Sequence, residues 1–306
     1  MSITWLIRYD PDMKLLFKSI PNLKSLIKTS ENEKVKYNEF SIKSPRISSN
    51  PQLIGHAYDY FLQLFCKRLN KSKSNLNIPT DGLILYDYLT ESFQYDSENN
   101  TELYIDSLKE WDYDMTKQSI IYGKLDQYFR CGVPPIDIMN VVSDDIEDLH
   151  NLINSTTKNE EIFRARDKFI SNPHFGSSIT MLMGGADADL IIDHSLIDIK
   201  VRSKFGFESY PWHQLIGYYI LGLLTPNIEY TISRLSIWNP RYEVLMFIDI
   251  NELFNIIDMK EFISKFIETV IVIHEKKGIS PTISDYLKDV QATWEVNSKI
   301  LSEQPL

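Results

Sequence analysis

Residues 184–219 read GGADADLIIDHSLIDIKVRSKFGFESYPWHQLIGYY, and this stretch decides the fold. Small or acidic residues alternate with apolar residues over 186–192, and an apolar alternation resumes over 196–201. The intervening residues, 193–195, are Asp, His and Ser, which are typical of turns. The pattern predicts two short antiparallel strands joined by a tight turn.

The predicted hairpin brings acidic side chains to one face of the sheet. Because side chains alternate between faces, Asp187 and Asp189 share a face, and Asp198 and Lys200 share a face on the next strand. A two-residue turn allows two registers. In the register centred between residues 193 and 194, Asp189 lies opposite Asp198, and Asp187 lies opposite Lys200. A shift of one residue would favour Asp187 over Asp189.

Clustered carboxylates on apolar strands indicate a shared cation, since like charges directly opposite in a sheet are destabilising. Their oxygens suit Mg²⁺ or Mn²⁺, which bind through one or two carboxylates and keep several waters for a substrate phosphate. Lys200 could lower the pKa of a metal-bound water or stabilise charge that develops on the phosphate. A second interpretation remains open, in which Asp187-Ala188-Asp189 is the polar, solvent-facing end of a strand.

Two motifs in this stretch resemble those of a known enzyme family. Asp189 or Asp187, followed by Asp198-Ile199-Lys200, is similar to the signature of the PD-(D/E)XK nuclease superfamily. Gln214 and Tyr218 match the Gln-x-x-x-Tyr motif of its RecB-like exonuclease branch and follow in the same order.

Residues at i and i+4 share a helix face, where the Gln214 amide can hold substrate or the catalytic centre and the Tyr218 phenol can reach a phosphate. Taken alone, the pair could equally be the polar seam of a helix.

A fourth element lies upstream, where the residues from Gly55 to Phe65 predict an amphipathic helix. In RecB-like proteins a helix with Gly-x-x-x-His or a similar motif carries a metal-facing polar residue. Asp59 takes that position, whereas His56 directly follows the glycine. Asp59 also has a second interpretation as a structural or helix-capping residue.

The resemblance implies an α/β fold with a restriction-endonuclease-like core, in which helices flank a mixed central sheet, and a helical insertion. We predict one nuclease-like domain over residues 1–306, with its catalytic core at about 50–70 and 171–250 and the insertion at about 75–170. The implied activity is Mg²⁺- or Mn²⁺-dependent hydrolysis of phosphodiester bonds in nucleic acid, with DNA as the expected substrate. The implied catalytic residues are Lys200, Asp198, Asp189, Gln214 and Tyr218, and the implied metal ligands are Asp189, Asp198, Asp187 and Asp59.

Two other classes of protein fit part of this pattern. A catalytically inactive nuclease-like module could bind nucleic acid or protein, but the intact set Asp189, Asp198, Lys200 and Gln214 argues against a decayed site. A glycosyltransferase could use an Asp-x-Asp pair to bind Mn²⁺ and a nucleotide sugar. Its activity would not depend on Lys200 or Gln214.

Composition bounds the remaining possibilities. The chain has 306 residues, of which 43% are hydrophobic, so it can bury a large core. It has only two cysteines and no apolar segment near the ~20 residues of a membrane span, so we expect a cytoplasmic protein without a membrane partner.

A net charge of −10 argues against a generally basic binder of nucleic acid. Basic residues near the motifs could still form a local groove, or could simply be solvated helix faces. These residues are Lys67, Arg68, Lys71, Lys73, Arg164, Arg166 and Lys168.

The rest of the chain is predicted more coarsely. Residues 80–170 are expected to be mostly helical, with an interruption at Gly132-Val133-Pro134-Pro135. Two strands are expected at 230–237 and 242–248, and helices at 251–276 and 283–301. Near the start of the chain only a short helical pattern at 23–27 is expected.

Overall fold

The structure is a computed structural model that describes residues 2–72, 89–132, 137–183, 188–226, 231–276, 278 and 280–303, with side chains to residue 299. The described residues form a six-stranded sheet. Its strands are β1 (Lys28–Thr29), β2 (Phe169–Ser171), β3 (Leu190–Ile192), β4 (Ser195–Ile199), β5 (Arg234–Asn239) and β6 (Val244–Asp249). The order is β1-β6-β5-β4-β3-β2, with β4 and β5 parallel and all other neighbours antiparallel.

The predicted hairpin is present as β3 and β4. Leu190 pairs with Ile197 and Ile192 with Ser195, so the register centred between residues 193 and 194 is confirmed. Asp193, at the turn, has a φ of 52°, and its carboxylate accepts N–H groups from the backbone of residues 166–168. A single Asp therefore fixes both the turn and its contact with the preceding loop.

Both strands of the hairpin are shorter than predicted. Of the expected ranges, 186–192 and 196–201, the strands cover Leu190–Ile192 and Ser195–Ile199, and residues 186 and 187 lie outside the described residues. The physical reason lies at Asp189, whose carboxylate accepts the N–H of Ile199 at 2.6 Å, so a side chain takes up a backbone donor just beyond the last strand pair.

Helices cover both faces of the sheet. Along β3, Ile191 packs in one apolar cluster, while its neighbours Leu190 and Ile192 pack in another on the opposite face. The predicted α/β class with a mixed sheet between helices is therefore confirmed. The helices are α1 (Ile3–Tyr9), α2 (Pro11–Lys18), α3 (Pro51–Leu69), α4 (Glu91–Ile105), α5 (Tyr113–Cys131), α6 (Ser143–Thr157), α7 (Ser177–Met183), α8 (Ser209–Leu223), α9 (Ile250–Phe254), α10 (Met259–Glu275) and α11 (Pro281–Glu303).

The helices divide between the two clusters. Ile191 of β3 and Leu196 of β4 pack together with residues of α1, α2, α8 and α10. Leu190, Ile192 and Ile197 pack with residues of α3 and α6. One face of the hairpin thus points to α8 and the other to α3.

The beginning of the chain is more ordered than its sequence indicated. The expected helical pattern at 23–27 appears as a 3₁₀ turn at Leu23–Leu26, but α1, α2 and β1 were not predicted. Ile3, Leu6 and Ile7 are at most 2% exposed, and α1 packs against α8. This spacing of i, i+3 and i+4 is the signal of an amphipathic helix in a segment too short to stand out.

The region between α3 and the hairpin is helical in the part that the structure describes, through α4, α5 and α6. Helix α5 ends at Cys131, and Gly132 follows with a φ of 67°, which agrees with the start of the predicted interruption. Residues 133–135 of that interruption lie outside the described residues. Arg241, after β5, ties α6 to the sheet through a buried pair with Asp148, at 2.8 Å between Nη1 and Oδ1 and 3.1 Å between Nη2 and Oδ2. The limits of the predicted insertion remain a prediction.

Within the residues described, every helix is too short or too polar to cross a membrane.

Helices α3 and α5 approach so closely that a side chain at Gly123 would collide with backbone. A Cβ there would lie 2.9 Å from the Ala57 N atom and 3.2 Å from the Leu53 carbonyl oxygen. Overpacking costs about 1–3 kcal/mol, more than the ~1 kcal/mol that Ala gains over Gly in a helix. We therefore expect Gly123→Ala to lower the free energy of unfolding, measured by urea denaturation.

Gly55→Ala on α3 is the matched control, since a Cβ at Gly55 meets nothing within 4 Å. It should raise the free energy of unfolding by up to ~1 kcal/mol through helix propensity alone. Equal stability of the two variants would contradict the backbone contact between the helices.

Candidate active site

The hairpin register places two acids on the face that points to α8. Leu190 and Ile197 pair with each other and pack in the cluster that contains residues of α3. Asp189 precedes Leu190 and Asp198 follows Ile197, so strand alternation places both acids on the other face. Asp198 is 2% exposed, and Asp189 is half-buried. Asp189 directly precedes β3, and its carboxylate turns toward β4, where it accepts the N–H of Ile199. Asp187 lies outside the described residues.

Lys200 binds the acid that precedes it on the same face. Its Nζ lies 2.6 Å from Oδ2 of Asp198, and it also donates to Oε1 of Gln214 at 3.1 Å. The backbone N–H of Lys200 donates to the Trp238 carbonyl oxygen at 2.9 Å, which extends the parallel pairing of β4 with β5. The ammonium is thereby held between the sheet and α8.

Gln214 and Tyr218 of α8 are buried and joined to each other. Gln214 is 8% exposed and Tyr218 is 4% exposed, and Nε2 of Gln214 donates to the Tyr218 hydroxyl at 2.8 Å. Thr4 of α1 completes the group, with its Oγ1 3.3 Å from that Nε2 and 3.2 Å from the Tyr218 hydroxyl. The polar seam therefore faces Lys200 and α1 and is buried between them.

Thr4 is a member of this site that no sequence motif indicated. It lies 214 residues from Tyr218 along the chain, and only the packing of α1 on α8 brings the two together. A Cβ at Gly217 would lie 2.9 Å from Cδ1 of Ile7, so glycine at this position admits α1 to its close contact.

Asp59 approaches from α3. Its carboxylate accepts a hydrogen bond from Nε2 of Gln63 at 3.0 Å, and Oε1 of Gln63 accepts one from Nδ2 of Asn172 at 3.2 Å. The backbone N–H of Asn172 donates to the carbonyl oxygen of Asp189. The helix-capping interpretation of Asp59 is wrong, because Asn50 caps α3 and Asp59 lies in its interior.

A second charged cluster lies beside Asp59, between α3 and α5. Nδ1 of His56 and Nε of Arg130 lie 2.5 Å and 2.9 Å from Oδ2 of Asp126. These contacts hold the pKa of Asp126 below its usual value although burial works to raise it. Asp126 was not predicted as part of the site, because it lies in the helical region far from every motif.

The acids of the site hold more negative charge than their surroundings stabilise. Burial raises the pKa of Asp189 well above its ordinary value, and the charges of Asp198 and Asp59 raise it further. Burial also raises the pKa of Asp198, against the opposing effect of Lys200. The pKa of Asp59 is raised to about 6 by burial and then by Asp126.

Lys200 shows the converse effect. Burial works to lower its pKa, but the charges of Asp198 and Asp189 outweigh burial, so the pKa is raised. The ammonium therefore stays protonated at neutral pH, and one lysine faces several acids.

The donor set suits a hard divalent cation in chemistry, although the ligands are not fully assembled. In the part of the chain that the structure describes, no three His, Cys, Asp or Glu side chains form a ready-made metal site. Mg²⁺ is commonly held by one or two carboxylates with waters completing its shell. Asp189 and Asp198, on one side of the sheet and with raised pKa values, fit that requirement.

Neither of the two interpretations of the basic residues near the motifs, a local groove or a solvated helix face, holds for Lys67. Lys67 is 1% exposed, so it cannot line a solvated groove. Arg68 pairs with Glu110 and Arg164 with Glu160, at 2.6 Å and 2.8 Å, which neutralises both. Lys73 lies outside the described residues.

Comparison of the chain with protein-family models, with curated proteins and with solved structures gave no match. The function must therefore be inferred from the site itself.

The raised pKa of Asp59 makes stability depend on pH. An acid with an ordinary pKa of 3.8 and a folded pKa of about 6 keeps its proton in the folded state after the unfolded chain has lost it. Its contribution to the free energy of unfolding is therefore lost as pH rises from about 4 to 6. Asp59→Asn can still accept the hydrogen bond from Gln63. It should remove this part of the decrease in the free energy of unfolding as pH rises.

We expect Asp59→Asn to be more stable than the wild type at pH 7, by on the order of 1–3 kcal/mol, and close to it at pH 4. Urea denaturation in EDTA at the two pH values measures this. Asp96→Asn, at an exposed position of α4, is the control. A wild-type advantage at pH 7 would contradict the inferred excess of negative charge.

Proposed function

We propose that the chain is a Mg²⁺- or Mn²⁺-dependent nuclease of the PD-(D/E)XK type that hydrolyses phosphodiester bonds, with DNA as the expected substrate. The observation that carries the proposal is the position of Lys200, bound to Asp198 and Gln214 on the sheet face that also holds Asp189. An acid next to one strand, Asp-x-Lys on the next strand and Gln-x-x-x-Tyr on the following helix here lie together between the sheet and α8.

Asp189 and Asp198 would hold the metal, with Asp59 as a further ligand from α3 and Asp187 retained as a predicted one. When bound, the metal polarises the phosphate and lowers the pKa of a coordinated water. The charge of Asp198 raises the pKa of Asp189, and burial raises the pKa of both acids. A cation between them would relieve this excess of negative charge, which supports the assignment.

Lys200 acts as a charged group in this proposal. Because its pKa is raised, it cannot take a proton from water at neutral pH. It can donate hydrogen bonds to the attacking water or to a phosphate oxygen, and so stabilise negative charge as it develops in the transition state. A fixed ammonium does this without reorganising when the reaction occurs.

Gln214, Tyr218 and Thr4 determine where that ammonium points. The Gln214 carbonyl accepts from Lys200, so its amide must direct both N–H donors toward Tyr218 and Thr4. Burial raises the pKa of Tyr218, which keeps its phenol neutral. These three residues are positioning residues for Lys200, and Tyr218 also stays a candidate for phosphate contact.

The test is a comparison of wild type and Lys200→Ala on linear, circular and single-stranded DNA and on RNA, with Mg²⁺ or Mn²⁺. We expect cleavage that EDTA abolishes and that Lys200→Ala lowers at least ~100-fold, since loss of one transition-state donor has about this effect. Lys158→Ala, at the exposed end of α6, should cleave like the wild type.

Equal rates for wild type and Lys200→Ala would refute the mechanism. Tight binding of nucleic acid without cleavage under any of these conditions would favour the inactive binding module. Sugar transfer that survives Lys200→Ala would favour the glycosyltransferase.

A further inference from the structure

An open cleft lies beside Lys200, on the side of the loop that follows β4. Its space, including the part open to solvent, is about 380 Å³. Because this space includes open solvent, a ligand would lie across the cleft, against its lining side chains, and not inside an enclosed cavity. Besides Lys200, the side chains that matter for binding are Arg202, Lys204, Tyr37, Phe205 and Trp212.

Basic side chains line the cleft in a chain whose net charge is −10. It is lined by Lys200, Arg202 and Lys204, and among its described lining residues the one acid is Glu208, which pairs with Arg202. Lys24 adds a further positive charge nearby, with its Nζ 5.7 Å from the centroid of the Tyr37 ring. Because Lys200 pairs with Asp198 and Arg202 with Glu208, the charges of Lys204 and Lys24 are the ones that favour an anionic ligand.

Aromatic rings form the other wall. The Phe205 ring contacts Tyr37, Phe40 and Tyr242, with centroids 5.3, 4.9 and 4.7 Å apart. Aromatic rings next to cations are the combination with which proteins bind the bases and the phosphates of single strands.

Tyr37 carries a polar atom that no described residue satisfies. Its hydroxyl is buried and has no hydrogen-bond partner within the described residues. Burial raises the pKa of Tyr37 to about 12, so the group is a neutral phenol at physiological pH. A buried hydroxyl without a partner destabilises the protein, and a base with ring nitrogens and carbonyl oxygens could supply that partner.

The wall of the cleft is held in place before any ligand arrives. The Tyr242 hydroxyl donates to the Ser203 carbonyl oxygen at 2.6 Å, and Nδ2 of Asn239 donates to the Arg202 carbonyl oxygen at 3.2 Å. Both donors come from the end of the β5–β6 hairpin, so the loop that carries Arg202, Lys204 and Phe205 is fixed to the sheet. A preformed site loses less conformational entropy on binding.

We propose that this cleft binds one unstacked nucleotide of the substrate, with its base against Phe205 and Tyr37 and its phosphate toward Lys204 and Arg202. The inference rests on the proposed function in one respect, since the nucleotide is taken to adjoin the phosphate that is cleaved at Lys200. A base inside a duplex is stacked and paired, so it cannot enter the cleft. Single strands and frayed ends are therefore the preferred substrates.

The experiment is calorimetric titration of the EDTA-treated protein with thymidine 5′-monophosphate, thymidine and inorganic phosphate. We expect the monophosphate to bind more tightly than either of its parts. Tyr37→Phe removes only the hydroxyl and should weaken the monophosphate about three- to tenfold, as loss of one hydrogen bond does. Lys204→Ala should weaken monophosphate and phosphate alike, and Lys158→Ala neither.

Tyr37→Phe also separates a binding role from a structural one. Because it removes a buried hydroxyl without a partner, its urea denaturation midpoint should equal or exceed that of the wild type while its affinity falls. Wild-type affinity in both Tyr37→Phe and Lys204→Ala, or a monophosphate that binds no better than phosphate, would overturn the proposal.

The two proposals can fail separately. Nucleotide binding in a protein that never cleaves nucleic acid would leave the cleft standing and refute the nuclease. Cleavage that depends on Lys200, without nucleotide binding in the cleft, would leave the nuclease proposal standing and refute the nucleotide site. Where both hold, Tyr37→Phe should reduce the ratio of single-stranded to duplex cleavage.

Discussion

The contact between Lys200 and Asp198 is the interaction on which the site depends. Asp198 is buried on a sheet face that also holds Asp189, and Lys200 is the cation that makes this arrangement tolerable. Removing one partner of a buried ion pair typically costs about 3–5 kcal/mol, because a charge is left without compensation. The acids still outnumber the lysine, so the folded protein retains unfavourable negative charge at the centre of its sheet.

That charge has a consequence for the whole fold. The apolar clusters on both faces of the sheet must supply enough stability to keep the acids close together. Stability given up at a functional site in this way is common in enzymes, where groups are held for a reaction rather than for the folded state alone. Helix α8 combines both roles, since Leu215 and Ile216 pack in the core while Gln214 reaches Lys200.

The parts of the site that could be predicted from the sequence are those that local geometry fixes. A two-residue turn and strand alternation set the hairpin register, and the i, i+4 spacing set Gln214 and Tyr218 on one face of α8. The strand ends were missed because the Asp189 carboxylate takes a backbone donor, which alternation does not encode. Asp59 was found only through the resemblance, and its helix-interior position excludes the capping alternative.

Other parts could not be predicted because tertiary packing alone creates them. Thr4 reaches Gln214 across 210 residues of chain, and His56 meets Asp126 only because Gly123 lets α5 approach α3. The expectation for Lys67 was wrong for a related reason. A basic residue at a helix end usually lies in solvent, but tertiary packing buries this one. Tyr37 belongs to no sequence motif, and only its position in the cleft beside Lys200 indicates a role for it.

Binding of Mn²⁺ tests the central claim most directly, because it requires neither the substrate nor its identity. Titration followed by electron paramagnetic resonance of free Mn²⁺ should show a site in the wild type that Asp198→Asn weakens at least ~10-fold and that Asp96→Asn leaves intact. Equal Mn²⁺ affinity in wild type and Asp198→Asn, or no Mn²⁺ binding by the wild type, would contradict a metal held between Asp189 and Asp198.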